Sequence, residues 1–406
     1  MPAWVIAASR AGEAYGGARE SAAWQRLSSA IADDDNLTDL AEDLRADVLA
    51  DPWSRAADIR YRLWAWSAYL DSQGKPWRLE GEVIDPGGGA FLYVKSYRVM
   101  ADGAVVLADQ RLRFRLLRRA DSTSAVEGYL GHAGEGGGEG VLLLADRLAI
   151  FATDTLWPLL DSADDGRRIG LARAWAKPVR GEVAEILGDQ VAPLTRTATH
   201  RRTLLAAWEG MQDRYDCMDY RIHRIPWQGL PDHHQALMAQ LVARDAELAC
   251  PAVTAEEHAA FVAYQEAIAA EPGVEAALEG LLAVAARPTA LHETRHLADR
   301  SDPPTCTGCD LDPGDSVNEL SAYLTSFAHP EVGHLALYQA CRATKSGRGR
   351  HALAVSIATR HILPRGCANP PPDDLAARAL AAEVSLFGRD QIAQIPADFP
   401  ASVALR

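Results

Sequence analysis

The chain has 406 residues, with 41 Lys and Arg against 55 Asp and Glu, which gives a net charge of −14 at pH 7. Hydrophobic residues make up 48% and charged residues 24%, which excludes a largely disordered or fibrous chain and predicts roughly two to three folded domains. The acidic balance argues against nucleic acid as a partner, because phosphate binding requires clustered Lys and Arg. No run of about 20 apolar residues occurs, so no membrane-spanning helix is predicted.

Residues 1–75 are predicted to form a helical N-terminal region. Apolar residues recur at helical spacing over residues 37–49 and, after a break at Asp51-Pro52, over residues 56–70. The second stretch carries the aromatic residues Tyr61, Trp64, Trp66 and Tyr69. These could line a ligand groove, although the pattern is more typical of core packing. The short apolar run at residues 2–9 is either the end of a signal or anchor segment or the first turn of a buried helix.

Residues 76–160 are predicted to form a small β-rich region with an antiparallel sheet. Segments 77–84, 91–100 and 105–117 have strand-like composition and are separated by the turn sequences Asp85-Pro-Gly-Gly-Gly and Asp102-Gly. Three arginines, Arg111, Arg113 and Arg115, alternate with apolar residues and so share one strand face. That face is either an anionic docking surface or, as we favour, an ordinary solvated one.

A glycine-rich stretch at residues 131–140 reads GHAGEGGGEG. Such loops can bind phosphate where they join a strand to a helix. Here Glu135 and Glu139 would repel phosphate, and no Lys-Ser/Thr pair follows, so the stretch is interpreted as a flexible hairpin loop. Residues 161–406 return to helical periodicity without an internal repeat. The chain is therefore predicted to be α+β, with a mainly helical C-terminal domain that carries the catalytic residues.

The segment His292-Glu293-Thr294-Arg295-His296 is an HExxH motif. Pro288 suits the first turn of a helix, and positions i and i+4 of a helix share one face, so both imidazoles can reach one metal ion. Glu293 lies beside that ion rather than on it, where a general base for an activated water is needed. The motif therefore indicates a zinc site with His292 and His296 as ligands.

A third ligand is needed, and Glu319 is the candidate. It follows His296 after 22 intervening residues, on a second predicted helix. The alternative is a capping box, in which Ser316 and Glu319 together satisfy the helix N-terminus. Given the upstream HExxH, we favour the ligand role, because a catalytic zinc site takes three protein ligands and an open position.

Residues 292–323 resemble the gluzincin class of zinc metallopeptidases, which includes thermolysin-like and aminopeptidase-like enzymes. That class has HExxH on one helix and a glutamate, often within Asn-Glu-x-x, on the next; here the second element reads Asn318-Glu319-Leu320-Ser321-Ala322-Tyr323. The resemblance implies a zincin-like domain, Zn²⁺ bound by His292, His296 and Glu319, and a peptide or protein substrate. It also implies that Glu293 activates the water.

Two further roles are proposed near the motif. Tyr323, one helical turn after Glu319, is a candidate donor to the oxyanion that forms during peptide hydrolysis. Asp299, three residues after His296, could orient an imidazole or lie at the surface. Other candidates that the sequence cannot rank are His334, Tyr338, His351, Arg360, His361, His223, His233 and His234.

The six cysteines all lie in the C-terminal half: Cys217, Cys250, Cys306, Cys309, Cys341 and Cys367. The Cys306-x-x-Cys309 pair is expected to form a disulfide across the loop or to bridge to Cys341 and Cys367, since no second CxxC completes a zinc site. Disulfides and the N-terminal apolar run favour a periplasmic or secreted location, with the cytoplasm as the alternative.

The hypothesis from the sequence is thus a zinc metallopeptidase that uses a metal-activated water and a glutamate base. Two alternatives remain open: a non-catalytic envelope or scaffold protein with an accidental or structural HExxH, and a non-peptidase zinc hydrolase. No sequence pattern specifies the oligomeric state.

Overall fold

The computed structural model describes residues 22–50, 54–84, 91–107, 109–119, 130–133, 140–161, 173–208, 255–309, 315–346, 350–363, 366–367, 369–396 and 399–400. Within these ranges the chain is α+β and mainly helical, which confirms the predicted fold class. The apolar run at residues 2–9, Glu135, Glu139, Cys217, Cys250 and the histidines at 223, 233 and 234 lie outside the described residues.

The N-terminal region is helical. Helices α1 (Ala22–Ile31), α2 (Asp35–Ala50) and α3 (Ala56–Ser72) form a hydrophobic cluster of their own that extends onto the first strand. The aromatic residues of α3 do not all pack into the core. Trp66 is fully buried, whereas Tyr61 is 58% exposed and lies against the Trp64 ring. Tyr69 is partly buried and packs against this cluster, and its hydroxyl donates a hydrogen bond to Asp34.

Five strands form one curled, mixed sheet: β1 (Trp77–Ile84), β2 (Phe91–Leu107), β3 (Gln110–Arg119), β4 (Gly131–Ala133) and β5 (Val141–Leu144). Their order across the sheet is β1-β2-β3-β5-β4. The predicted all-antiparallel sheet is wrong at one pair, because β5 inserts between β3 and β4 and runs parallel to β3. The glycine-rich stretch does connect an antiparallel hairpin, β4 with β5.

The turn predicted at Asp102-Gly103 is also wrong, because β2 continues through it to Leu107. A Cβ on Gly103 would lie 2.5 Å from the Phe114 ring, so this glycine makes room for an aromatic side chain. The reversal comes instead at Asp109, whose φ of 61° is the left-handed conformation that Asp tolerates in turns. A register shift between Val99 and Ala101 also bends β2.

The predicted arginine face is neither solvated throughout nor an open anion-binding surface. Arg115 is buried and pairs with Asp71, while Arg113 Nε donates to Asp102 Oδ1 at 2.8 Å. Arg111 is exposed. Acidic partners neutralise Arg113 and Arg115 within the fold, which a single-strand pattern could not reveal.

The helical remainder packs around one long helix, α9. Its elements are α4 (Ala145–Phe151), a π-helical stretch (Ala152–Leu156), α5 (Trp157–Leu160), α6 (Arg173–Leu187), α7 (Val191–Trp208), α8 (Ala255–Ala270), α9 (Val274–Ser301), α10 (Asp315–Phe327), α11 (Gly333–Ser346), α12 (Arg350–Ile362) and α13 (Leu375–Phe387). Helix α9 contacts the sheet on one side and α6, α7 and α10 on others. Its first half is buried on nearly all sides, as its Ala- and Leu-rich composition favours.

Pro288 lies in the middle of the 28-residue helix α9 rather than at its start. The helix therefore begins 14 residues earlier than predicted. The helix begins at Val274, after Gly273 in a left-handed conformation. The cysteine pairs are Cys306–Cys309, within the loop from α9 to α10, and Cys341–Cys367, which ties α11 to the segment after α12. Within the part of the chain described above, none of the helices combines the length and apolarity needed to cross a membrane.

Candidate metal centre

Helix α9 places the two histidines of the HExxH motif on one face. The Nε2 atoms of His292 and His296 lie 3.1 Å apart, and the two rings meet edge to face with centroids separated by 4.8 Å. Both side chains are mostly buried, with 13% and 17% of their surface exposed. The i, i+4 spacing thus places the two Nε2 atoms close enough together to bind one metal ion, as the motif predicts.

Helix α10 brings Glu319 to the same point. Its Oε2 lies 3.2 Å from His292 Nε2, and its Oε1 lies 3.4 Å from His296 Nε2. The carboxylate therefore faces both imidazoles. Ser316 lies within the first turn of α10, one residue after its start at Asp315, rather than at the N-cap position that the capping-box interpretation requires.

The three side chains have the spacing that a small tetrahedral cation requires. Ligand atoms bonded to zinc at about 2.0–2.1 Å are separated from one another by about 3.3 Å in a tetrahedron. The separations here are 3.1, 3.2 and 3.4 Å, between two imidazole nitrogens and one carboxylate. His292, His296 and Glu319 could therefore hold one metal ion with a fourth position left for a small molecule.

Glu293 lies beside this centre. A ligand atom from each of His292, Glu293 and His296 fits within 4.8 Å of the others, so its carboxylate borders the centre. Burial raises the pKa of Glu293 above its usual value, while the two imidazoles oppose that shift. The arrangement places a proton acceptor next to the position where a water would bind.

Tyr323 packs over the first histidine. Its ring centroid lies 4.5 Å from that of His292, and its side chain lines the same cleft. Burial, together with the negative charges of Glu319 and Glu293, raises the pKa of Tyr323 well above its usual value. The hydroxyl therefore stays protonated and remains a hydrogen-bond donor.

The centre opens into a cleft of about 710 Å³. One wall consists of α9, α10 and α11, and the other is the edge strand β4. Strand β4 is held against α9 by a hydrogen bond of 3.1 Å from Arg300 Nη2 to the carbonyl oxygen of Ala133. The close approach of β4 to α9 and β5 also requires glycine at position 131. A Cβ there would lie 3.1 Å from Thr289 Cγ2 and 2.9 Å from the carbonyl oxygen of Leu142.

Asp299 is not a surface residue, which was the alternative to orienting an imidazole. Its side chain is 1% exposed and forms ion pairs with Arg295 at 2.9 Å and Arg389 at 2.8 Å. The carboxylate therefore has a structural role in packing α9 against its neighbours.

Four other candidates do not line the cleft, whereas the side chain of His351 lies outside the described part of the chain. His334 pairs with Glu182 at 2.8 Å, Tyr338 lies beside Arg342, and Arg360 donates to the carbonyl oxygen of Ser356. His361 is exposed at the end of α12.

The sequence did not identify His132, which lines the cleft from β4. Its Nε2 atom lies 3.5 Å from Glu80 Oε1 on β1. The only local signal was a histidine within the glycine-rich stretch, and nothing in the sequence paired it with a glutamate 52 residues earlier.

Comparison of the chain with known protein families, with curated proteins and with solved structures finds no match. The arrangement of residues around the cleft is therefore the basis for a functional proposal.

Proposed function

We propose that the protein is a zinc-dependent metallopeptidase of the gluzincin type. The observation that carries this proposal is the convergence of His292 Nε2, His296 Nε2 and Glu319 on one point, at mutual separations of 3.1–3.4 Å. Two histidines and a glutamate are a ligand set of catalytic zinc sites in metallopeptidases. The resemblance of residues 292–323 to that class supports the same assignment.

Each group at the centre has a separate role in the proposed hydrolysis. Zinc, when bound, lowers the pKa of a water and polarises the carbonyl of the bond to be cleaved. Glu293 takes a proton from the attacking water and passes it to the leaving amine. The Tyr323 hydroxyl donates a hydrogen bond toward the negative charge that develops on the carbonyl oxygen. The mostly buried positions of these side chains strengthen each electrostatic interaction.

The shape of the cleft favours a peptide substrate. Strand β4 is an edge strand, and although Arg300 already donates to the carbonyl oxygen of Ala133, its other outer backbone groups could pair with an extended chain. It lies across the cleft from α9, so a peptide added beside β4 would pass over His292 and His296. Strands β2 and β3 are interior strands, and β1, the other edge strand, packs on α3, so β4 is the edge strand that lines the cleft.

The ligand assignment is tested by zinc affinity. Glu319→Gln should bind zinc at least tenfold more weakly than the parent, because a neutral amide oxygen is a poorer ligand than a carboxylate. Chelator competition at fixed pH measures the affinity, and a thermal melt shows that the variant is folded. Glu331→Gln is the matched control, because this glutamate is 55% exposed and pairs with Arg287 away from the ligands.

Two outcomes would contradict the proposal. Parental zinc affinity in folded Glu319→Gln would remove the third ligand and with it the gluzincin assignment. Zinc-loaded parent protein that cleaves no member of a diverse peptide library would remove the peptidase activity, and cleavage of esters or other amides instead would indicate a different zinc hydrolase.

A further inference from the structure

His132 and Glu80 come from opposite ends of the sheet. Strand β4, which carries His132, and strand β1, which carries Glu80, are the first and last in the order β1-β2-β3-β5-β4. The sheet curls so that the His132 Nε2 and Glu80 Oε1 atoms nevertheless lie 3.5 Å apart. The ion pair therefore spans the two edges of the sheet at the wall of the cleft.

Arg78 is a second partner that stabilises the ionised form of Glu80. Arg78 Nε lies 3.1 Å from Glu80 Oε1, and the Arg78 side chain is only 6% exposed. Burial opposes ionisation of Glu80, but His132 and Arg78 together lower its pKa to about 2. At neutral pH the carboxylate is therefore ionised and attracts a proton to the imidazole.

His132 presents that imidazole to the cleft. Its side chain is 32% exposed, and it lines the cavity together with Glu293, His292 and His296. Burial disfavours the imidazolium form, but Glu80 and, across the cleft, Glu293 raise the pKa of His132. The ion pair with Glu80 thus favours the protonated imidazole on the strand wall of the cleft, opposite Glu293 on α9.

We propose that His132 is a substrate-contacting catalytic residue that hydrogen-bonds the carbonyl oxygen of the bond to be cleaved, and that Glu80 is its positioning residue. This inference rests on the proposed peptidase function. In this role His132 acts as an imidazolium, the form that its ion pair with Glu80 favours, and it takes no part in the proton transfer from water through Glu293 to the leaving amine. Its contribution is electrostatic, because a charged donor interacts more strongly with the developing oxyanion than with the neutral carbonyl.

The test compares His132→Gln and Glu80→Gln with the zinc-loaded parent on a peptide that the parent cleaves. His132→Gln should lower kcat about a hundredfold with KM changed less than about threefold, the pattern of a contact made in the transition state. Glu80→Gln keeps the imidazole of His132 but removes the ion pair that holds it in position, and should lower kcat about tenfold. Zinc content should equal that of the parent in both variants. His361→Gln, which alters an exposed histidine outside the cleft, should match the parent in all three measurements.

The outcomes separate this inference from the proposed function. Parental kcat in His132→Gln, with Glu293→Gln inactive, would overturn the role of His132 alone. A raised KM with unchanged kcat would likewise overturn it, because that pattern indicates ground-state binding only. Full hydrolysis by Glu293→Gln, or none by the parent, would overturn both proposals. Should His132→Gln not fold, a parental kcat in Glu80→Gln would contradict the inference.

Discussion

Oδ1 of Asp299 lies 2.8 Å from Nη1 of Arg389, although 90 residues separate them in the chain. The same carboxylate oxygen lies 2.9 Å from Nε of Arg295, which also donates a hydrogen bond to Ser321 Oγ at 3.0 Å. Arg295 belongs to the HExxH motif on α9, and Ser321 lies on α10. These buried contacts therefore fix α9 and α10, which carry the proposed metal ligands, against each other.

Replacing Arg389 with Leu should destabilise the fold. The change removes one of the two cations that face Asp299, and a buried carboxylate that loses part of its ion pairing is destabilised even though Arg295 remains. We expect the free energy of unfolding to fall by about 2 kcal/mol in urea denaturation followed by circular dichroism. Arg378→Leu is the matched control, because Arg378 pairs with Asp374 at the surface and the loss should be small. Equal losses in the two variants would show that burial of Asp299 does not govern the effect.

Glu383 should make stability depend on pH. It lies on α13, buried, and accepts a hydrogen bond of 2.7 Å from Thr325 Oγ1 on α10. Burial, opposed by Thr325 and Arg295, raises the pKa of Glu383 from its usual 4.5 to about 7. Between these values the folded chain holds more protons at Glu383 than the unfolded chain, so this group reduces stability as pH rises from 4.5 to 7.

Glu383→Gln removes the ionisable group while keeping its shape. The Tm of the variant minus the Tm of the parent should therefore increase from pH 5 to pH 8, measured by scanning fluorimetry in buffers of equal ionic strength. A difference that stays constant across this range would mean that Glu383 does not titrate as described.

Tyr323→Phe should separate packing from hydrogen bonding. The variant keeps the ring that packs on His292 but loses the hydroxyl, so zinc content and Tm should stay close to the parental values. If the hydroxyl donates to the oxyanion, kcat should fall about a hundredfold. Steady-state kinetics on a cleaved peptide provide the measurement. An unchanged kcat would leave Tyr323 as a packing residue only.

The parts of the fold that depend on local sequence were predictable. Strand β1 matches the predicted segment 77–84, because its turn signals lie immediately beyond it. The HExxH spacing predicted two imidazoles on one helical face, because helix geometry alone fixes that relationship. Pro288 was misplaced because a proline is favoured at a helix start, whereas here it lies within a helix whose stability comes from burial on several sides.

The parts that depend on tertiary structure were not predictable. The turn expected at Asp102-Gly103 is overridden by packing of that glycine under Phe114. The parallel pairing of β5 with β3 reflects strand order, which no local pattern specifies. The ion pair between His132 and Glu80 arises only because the sheet curls, so its two edges meet at the cleft.

The most direct test of the central claim is the rate of peptide hydrolysis by zinc-loaded Glu293→Gln beside the zinc-loaded parent. In the proposed assignment His292, His296 and Glu319 hold the metal and Glu293 only borders them, so the variant should keep about one zinc per chain. An amide cannot accept a proton from the attacking water, and we therefore predict at least a hundredfold loss of kcat with zinc content unchanged. Hydrolysis by Glu293→Gln at the parental rate would contradict the account.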